Sequence, residues 1–396
     1  MNSTNSKKLF IIAGEPSADL HGSNLIKSIL EKYPDTQFIG MGGELMKSAG
    51  AKLYYDIGKI SVIGFVEVIK KLPLYRKIFK NLRAKLDTEK PDAVILIDYP
   101  GFNINFAKEA KKRNLAVIYY ISPQIWAWHK SRIKTIKKVV DKMLVLFEFE
   151  KDLYKQYSID AVFTGHPLVD VVKTTMPKQD AIKHFGFKPN RKIIALLPGS
   201  RKTEVKKVLP IMLKSVEIIA KKLPETQFML IKSPIIDKKF YEGFVGAYCN
   251  TPLQLSVKII DDNRYDAVAC ADFALVASGT ATLETAILGI PMALVYKVSF
   301  LTWLIARILI RIPYIGLVNV IAAEKIIPEF IQFGADPEKI TTECITMLQS
   351  PINISKMKTA LANVKEKLGP SGASANAANE ILNFLNTYNT NPKTIR

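Results

Sequence analysis

The sequence predicts an α/β protein built from two Rossmann-like domains. Short apolar runs alternate with amphipathic helical stretches, as buried parallel strands and their covering helices do. The alternation breaks after Leu168 and restarts at Ile193. The chain has 396 residues, too many for one ordinary α/β core and comfortable for two.

In chain order, the first set of strands is Leu9–Ala13, Gln37–Met41, Ala93–Asp98, Val117–Ile121, Met143–Phe147 and Ala161–Thr164. Leu25–Tyr33 and Phe106–Lys112 carry apolar residues at helical period between them. The turn Gly165-His166-Pro167 then gives way to polar KTTMPKQD, which sets the domains at residues 1–170 and 171–370. The second set is Ile193–Leu197, Gln227–Lys232, Val257–Asp261, Phe273–Ala277 and Met292–Tyr296. Strand–helix alternation done twice implies two doubly wound sheets. After Leu368 the tail opens with turn residues and then turns helical over about residues 371–396.

Composition narrows the class. Hydrophobic content of 48% and charged content of 23% exclude wholesale disorder. The 56 Lys and Arg against 36 Asp and Glu leave a net charge of +20, which suits an anionic partner: nucleic acid, acidic lipid or a phosphorylated substrate. Cys249, Cys270 and Cys344 are widely spaced and match no zinc or redox pattern. The first apolar run is short and ends in a polar turn, unlike a signal peptide, so the expected location is the cytoplasm. Two stretches, Val62–Lys85 and Met292–Gly316, mix aliphatic, aromatic and basic residues. Lys297, Arg307, Arg311 and Pro313 interrupt the second, which suits lying on a membrane rather than crossing it. Ordinary core elements with basic outer faces are the alternative.

Five turns and loops carry the chemistry. Gly14-Glu15-Pro16-Ser17-Ala18-Asp19-Leu20-His21-Gly22 follows the first strand, where open α/β sheets bind ligands. It lacks the G-x-G-x-x-G pattern of nicotinamide and flavin enzymes. Ser17 and Asp19 also suit helix capping. Asp98 ends a strand, where a carboxylate meets ligand rather than core, and it lies too far upstream to cap a helix starting near Asn103. The loop Ser122–Arg132 crowds Gln124, Trp126, Trp128, His129, Lys130 and Arg132 together, a mixture suited to a sugar or lipid headgroup. In the second half, Gly199, Ser200 and Arg201 form an anion site at a helix start. Ser278, Gly279, Thr280 and Thr282 repeat the pattern from another strand, and Glu284, one turn into that helix, can accept from ribose hydroxyls. Two such turns can grip a diphosphate from two sides. No D-x-D pair occurs, so no metal site and no cofactor are expected; Arg201 and helix N-termini take the leaving group's charge instead.

The motifs GEPSADLHG, MGG, IDYPGFN, SPQIWAWHKSR, TGHPL, PGSR, SGTATLE and PEFIQ run in the order found in lipid-A-disaccharide synthases, and the resemblance covers nearly the whole chain. It implies a GT-B glycosyltransferase, two Rossmann-like domains facing a cleft, with the last helix crossing back to the first domain. It implies transfer, with inversion, from UDP-2,3-diacylglucosamine to 2,3-diacylglucosamine 1-phosphate, giving a β-1,6 disaccharide and UDP. Asp98 aligns with the family's essential aspartate, as the base for the acceptor hydroxyl, with His21 or Glu15 next in line. Arg201 falls to the departing diphosphate, and Glu284, Asn319, Glu329 and Gln332 to the nucleotide. Ala18 stands where the family's first turn usually has glycine, a change that restricts the backbone there. The expected partners are the two acylated substrates and an anionic inner-membrane surface in a lipopolysaccharide-making bacterium; a homodimer is admitted and nucleic acid is not. The rival readings are a UDP-N-acetylglucosamine 2-epimerase, the transferase that completes the peptidoglycan lipid precursor, and a non-catalytic basic binding protein.

Overall fold

The computed structural model describes residues 6–60, 72–126, 132–249, 256–309 and 312–390. Two compact units divide the chain. One holds the residues up to Pro167 together with those from Leu368 onward, and the other is Leu168–Lys367.

The first unit is built on β1 (Lys8–Ala13), β2 (Gln37–Gly42), β3 (Lys52–Asp56), β4 (Ala93–Ile97), β5 (Ala116–Tyr120), β6 (Lys142–Val145) and β7 (Ala161–Phe163). They form a seven-stranded sheet in the order β3-β2-β1-β4-β5-β6-β7. Every pairing is parallel. Central strands of such a sheet are covered on both faces, which is why Leu9–Ala13 and Ala93–Ile97 are unbroken apolar runs with no exposed surface. The second unit has β8 (Ile193–Leu197), β9 (Gln227–Ile231), β10 (Val257–Ile260), β11 (Phe273–Ala277), β12 (Met292–Tyr296) and β13 (Glu329–Ile331), in the order β10-β9-β8-β11-β12-β13. This sheet is also parallel throughout.

Both sheets start in the middle and grow first one way and then the other. The order reverses between β1 and β4, paired as far as Ala13 and Ile97, and between β8 and β11, paired through Leu197 and Val276. Helices leave opposite faces at such a point and open a crevice at the carboxyl ends of the strands. The turns at Gly14, Asp98, Gly199 and Ser278 follow β1, β4, β8 and β11.

Two helices begin earlier than their apolar periodicity suggests. Pro16–Leu30 takes in most of the supposed first turn, and Pro100–Lys111 starts directly after Tyr99, not near Asn103. In each case proline occupies the first turn, where its fixed φ favours a helix and its missing N–H loses nothing. Pro16–Leu30 also stops short of the expected Tyr33. β3 and β13 had no counterpart among the expected strands: one is a half-buried edge and the other is three residues long.

The helix Ala373–Thr390 packs against Pro16–Leu30 within the first unit. Ala377, Ala378, Ile381, Leu382 and Leu385 are its buried stripe, spaced at helical period. Lys142 Nζ pairs with Glu380 at 2.9 Å, and Asn376 Nδ2 donates to the Thr164 carbonyl at 3.3 Å. No helix among the described residues is long and apolar enough to cross a membrane. Of the two stretches read as membrane-facing, Met292–Val295 is a sealed core strand and Ile78 and Leu82 are core residues. Residues 61–71 and 310–311 lie outside the described residues. Phe300 and Leu304 do stand exposed on the helix Phe300–Leu309.

Asp19, read as part of a functional turn, is a fastener. It is 5% exposed, and its carboxylate accepts from Gly43 N at 2.7 Å and from Leu45 N and Met46 N at 3.1 Å. It thus caps the short helix Glu44–Ser48 from the neighbouring βα unit. Asp19→Ala strands those donors and is expected to lower the unfolding free energy by about 2–4 kcal/mol in urea titrations. A loss below about 0.5 kcal/mol, the range of an ordinary surface change, would show that the carboxylate holds nothing.

Candidate active site

The carboxyl end of β4 is shaped by backbone strain. Asp98 and Tyr99 both have φ of 47°, in the left-handed region that non-glycine residues avoid. Such strain persists only where the surroundings over-determine it, and it gathers at functional sites. Here Asn103 Nδ2 donates to the carbonyls of Ile97 at 3.1 Å and Asp98 at 2.8 Å. The Tyr119 hydroxyl donates to the Asp98 carbonyl at 2.6 Å, and Asp98 N to that of Tyr120 at 3.1 Å. The Tyr99 ring stacks on Phe102 at 5.7 Å and lies over Gly14, where a Cβ would stand 2.2 Å from it. Gly14 is therefore required by close approach, and that approach ties the turn after β1 to the turn after β4.

The interlock brings Glu15 within electrostatic reach of Asp98. Burial, reinforced by the Glu15 charge, raises the Asp98 carboxyl from its ordinary 3.8 to about 6. A carboxylate with that value is ionised at neutral pH and is a better proton acceptor than a free aspartate. His21, on the next turns of Pro16–Leu30, goes the other way. Burial lowers it to about 4, and its sealed Nδ1 has no hydrogen-bond partner among the described residues. Burial and His21 together lower His166 to about 3. Both imidazoles are neutral at pH 7. Ser17 is exposed and Glu15 half-buried.

The loop after β5 is held from below. Trp126 Nε1 donates to Glu150 Oε1 at 3.1 Å, and its ring meets Phe149 edge-on at 5.5 Å. The Tyr154 hydroxyl reaches the Pro123 carbonyl at 3.4 Å. Trp126 is thus an anchor more than an open stacking face, and Gln124 is the exposed side chain. Arg132 opens the helix Arg132–Val139, half-buried, while His129 lies outside the described residues. Glu150, 2% exposed, is pushed up by burial to about 7.

In the second unit Arg201 stands exposed as the N-cap residue of Lys202–Lys222, with Ser200 exposed and Gly199 half-buried beside it. Glu204 folds back to accept from Ser200 N at 3.1 Å, so the chain's own carboxylate competes for an N–H that an anion would use. Burial raises the pKa of Glu204. After β11, Ser278 is half-buried, and Gly279 and Thr280 are exposed at the start of Thr280–Ile287. Thr282 is sealed, its Oγ1 donating to the Gly279 carbonyl at 2.7 Å, so it braces the turn. Glu284 Oε1 accepts from Arg264 Nη2 at 3.1 Å.

Asn319 and Glu329 form a network that fixes the backbone near β13, and Gln332 separately holds Val298. Asn319 is fully buried; its Nδ2 donates to the Ile327 carbonyl at 3.0 Å and to Glu329 Oε1 at 2.9 Å, and its Oδ1 accepts from Ile326 N and Ile327 N at 2.9 Å. Glu329 also accepts from Ile315 N at 3.0 Å and Gly316 N at 2.9 Å. Gln332, strained at φ 53°, grips Val298 N at 3.2 Å and the Val298 carbonyl at 3.4 Å. Among the described residues no three His, Cys, Asp or Glu side chains converge as metal ligands.

The family model for lipid-A-disaccharide synthetase matches residues 9–381. A lipid-A-disaccharide synthase of Syntrophus aciditrophicus is 43% identical over 374 residues, covering 94% of this chain and 97% of the relative. That of Geobacter sulfurreducens is 38% identical over 386 residues, covering 97% and 99%. The chain belongs to the lipid-A-disaccharide synthase family. It is accordingly a glycosyltransferase of lipid A biosynthesis. Its two-sheet architecture is shared more widely. The S. aureus MnaA–UDP structure superposes with a TM-score of 0.64 at 14% identity, covering 96% of this chain and 97% of that one. UDP-GlcNAc 2-epimerase from Neisseria meningitidis, bound to UDP-GlcNAc, gives 0.62 at 16% identity, covering 95% and 99%. At those identities the likeness establishes the GT-B fold, while the family match rules out the epimerase and the non-catalytic readings.

Glu150 and Arg264 were not singled out from sequence as site residues. For Glu150 the usable signal is a carboxylate in the first turn of the helix Glu148–Lys155 that follows the strand β6. For Arg264 the sequence held no signal, since its partner Glu284 lies 20 positions away.

The raised Asp98 value has a consequence for stability. An acid whose folded pKa exceeds its unfolded one destabilises the fold once pH rises above the unfolded value, and the penalty is complete above the folded value. For Asp98 that window runs from 3.8 to about 6. Asp98→Asn removes the penalty, so the variant is expected to match wild type near pH 4 and to be more stable by about 2–3 kcal/mol at pH 8. Denaturant midpoints across that range check it, and a stability gap that does not change with pH would contradict the assignment.

Proposed function

We propose that the enzyme transfers the sugar of UDP-2,3-diacylglucosamine, with inversion, to the 6-hydroxyl of 2,3-diacylglucosamine 1-phosphate, using Asp98 as base. The half-buried carboxylate held in a strained turn at the first unit's switch point is the observation that carries this reading. As the acceptor oxygen attacks the anomeric carbon, its proton passes to Asp98. The bond to the diphosphate breaks, and its electron pair leaves with UDP. UDP is a good leaving group and needs no general acid, so one carboxylate suffices where a glycosidase uses a pair.

The donor belongs to residues 171–370 in this proposal. Arg201 and the N–H groups at Gly199–Ser200 and Ser278–Thr280 take the diphosphate, displacing the Glu204 carboxylate. Glu284 accepts from the ribose. Asn319, with every polar atom committed, acts by fixing Glu329 and the backbone around it, and Gln332 by fixing Val298. The acceptor and the membrane face residues 1–170 with the returning helix in this proposal; Glu15, whose charge acts on Asp98, His21 on the helix that follows it, Gln124 on the loop after β5 and Arg132 at the start of the next helix are the candidates to line its subsite.

The net charge of +20 and the exposed Phe300, Leu304 and Phe333 support reversible attachment to an anionic inner-membrane surface on the cytoplasmic side.

Asp98→Asn keeps size and hydrogen bonding but cannot take the proton. It is expected to lower kcat by about 10²–10⁴ while UDP affinity stays within twofold, roughly the scatter of such titrations. In wild type kcat/KM should rise with pH through about 6, the value at which Asp98 loses its proton. Turnover of the asparagine variant near the wild-type rate would move the base elsewhere. Arg201→Ala should weaken UDP binding by about 1.5–3 kcal/mol, the worth of a charged hydrogen bond, with or without EDTA. Titration calorimetry reads both; unchanged UDP affinity, or an absolute need for a divalent ion, would contradict the diphosphate site.

A further inference from the structure

We infer that Arg264 is a positioning residue for Glu284, holding one carboxylate oxygen so that the other is presented to the ribose of the uridine nucleotide. The inference rests on the reading of Glu284 as the ribose acceptor and adds a residue that no motif contains.

Arg264 is the first residue of the helix Arg264–Cys270. Asn263 before it has φ of 43°, a left-handed conformation that a short polar side chain tolerates better than most. The chain leaves β10 through this bend. Arg264 Nη2 then stands 3.1 Å from Glu284 Oε1, and the Tyr265 hydroxyl 3.3 Å from the same oxygen. The guanidinium carbon lies 4.5 Å above the Tyr265 ring. Burial and the Glu284 charge push the Tyr265 hydroxyl up to about 12, so it stays protonated and remains a donor. Two donors therefore converge on Oε1, and Oε2 has no protein partner among the described residues.

A glutamate on a helix surface samples several rotamers, and a ligand that needs one of them binds in proportion to its population. The Arg264 and Tyr265 contacts select one. Arginine suits the task because its planar group can stack on the tyrosine and donate in plane at once, which lysine cannot do. As a fold-stabilising ion pair the contact would contribute little, since the Arg264 side chain is 37% exposed and such pairs are weak.

The test is calorimetric binding of UDP and of 2′,3′-dideoxy-UDP to wild type, Arg264→Gln, Arg264→Lys, Glu284→Gln and the Arg264→Gln/Glu284→Gln double variant. Wild type is expected to prefer UDP. Arg264→Gln should weaken UDP about three- to tenfold and leave the dideoxy nucleotide unchanged, because only ribose binding needs the selected rotamer. Lysine should restore at most part of the loss. The double variant should bind UDP no more weakly than Glu284→Gln alone, as for residues acting in one chain. Equal weakening of both nucleotides would overturn the inference in favour of direct contact with the diphosphate or general damage. Wild-type UDP affinity in Arg264→Gln would overturn it too. If wild type fails to prefer UDP, the ribose role of Glu284 falls and this inference with it; if wild type prefers UDP and Arg264→Gln prefers it equally, only the positioning falls.

Discussion

The proposed chemistry of the first unit depends on holding one half-buried carboxylate, Asp98, at the carboxyl end of β4. Desolvation of Asp98 works against its charge, and a left-handed pair of residues works against the backbone that carries it. The structure meets both with local devices: the Asn103 amide, the Tyr119 hydroxyl, and a tyrosine ring seated on a glycine. Remove the glycine's freedom of approach and Tyr99 must shift; shift Tyr99 and the orientation of Asp98 goes with it. The raised pKa is thus a product of packing. That raised value costs stability at neutral pH.

The second unit repeats the topology with the opposite electrostatics. Its switch point offers backbone N–H groups and Arg201 where the first offers Glu15 and Asp98. The order shared by the second sheet and the first six strands of the first puts each motif at the same place in its own unit, so one topology carries different side chains by changing a few loop residues. Glu204 accepts from one of those N–H groups and Arg264 holds Glu284, so the chain's own side chains occupy and brace these turns.

Strands buried on both faces were legible because parallel central strands are written as continuous apolar runs; Leu9–Ala13 and Phe273–Ala277 are plain in the sequence. β3 was not, since its residues are half-exposed and polar. Helix starts lie earlier than apolar periodicity alone indicates, because a proline in the first turn sets them, a signal present at both Pro16 and Pro100. The motif turns were legible as places, less so as roles. Asp19 and Thr282 lie inside the right turns yet serve structure, because a polar side chain near a helix start can bond to ligand or to backbone with the same atoms. Asn319 and Glu329 came from resemblance alone, and nothing in their local sequence says that they bond each other. The Trp126–Glu150 contact, across 24 positions, needed coordinates.

Asp98 is a half-buried carboxylate made more basic by burial and by its neighbour Glu15. Carbon-13 NMR of aspartate-labelled enzyme, with Asp98→Asn used to assign the resonance, titrates that carboxyl directly. A midpoint near 6 is expected in wild type and a lower one in Glu15→Gln, because loss of the neighbouring charge removes the second cause of the shift. A wild-type midpoint near 4, the ordinary aspartate value, would contradict it, as would a midpoint that ignores Glu15 altogether.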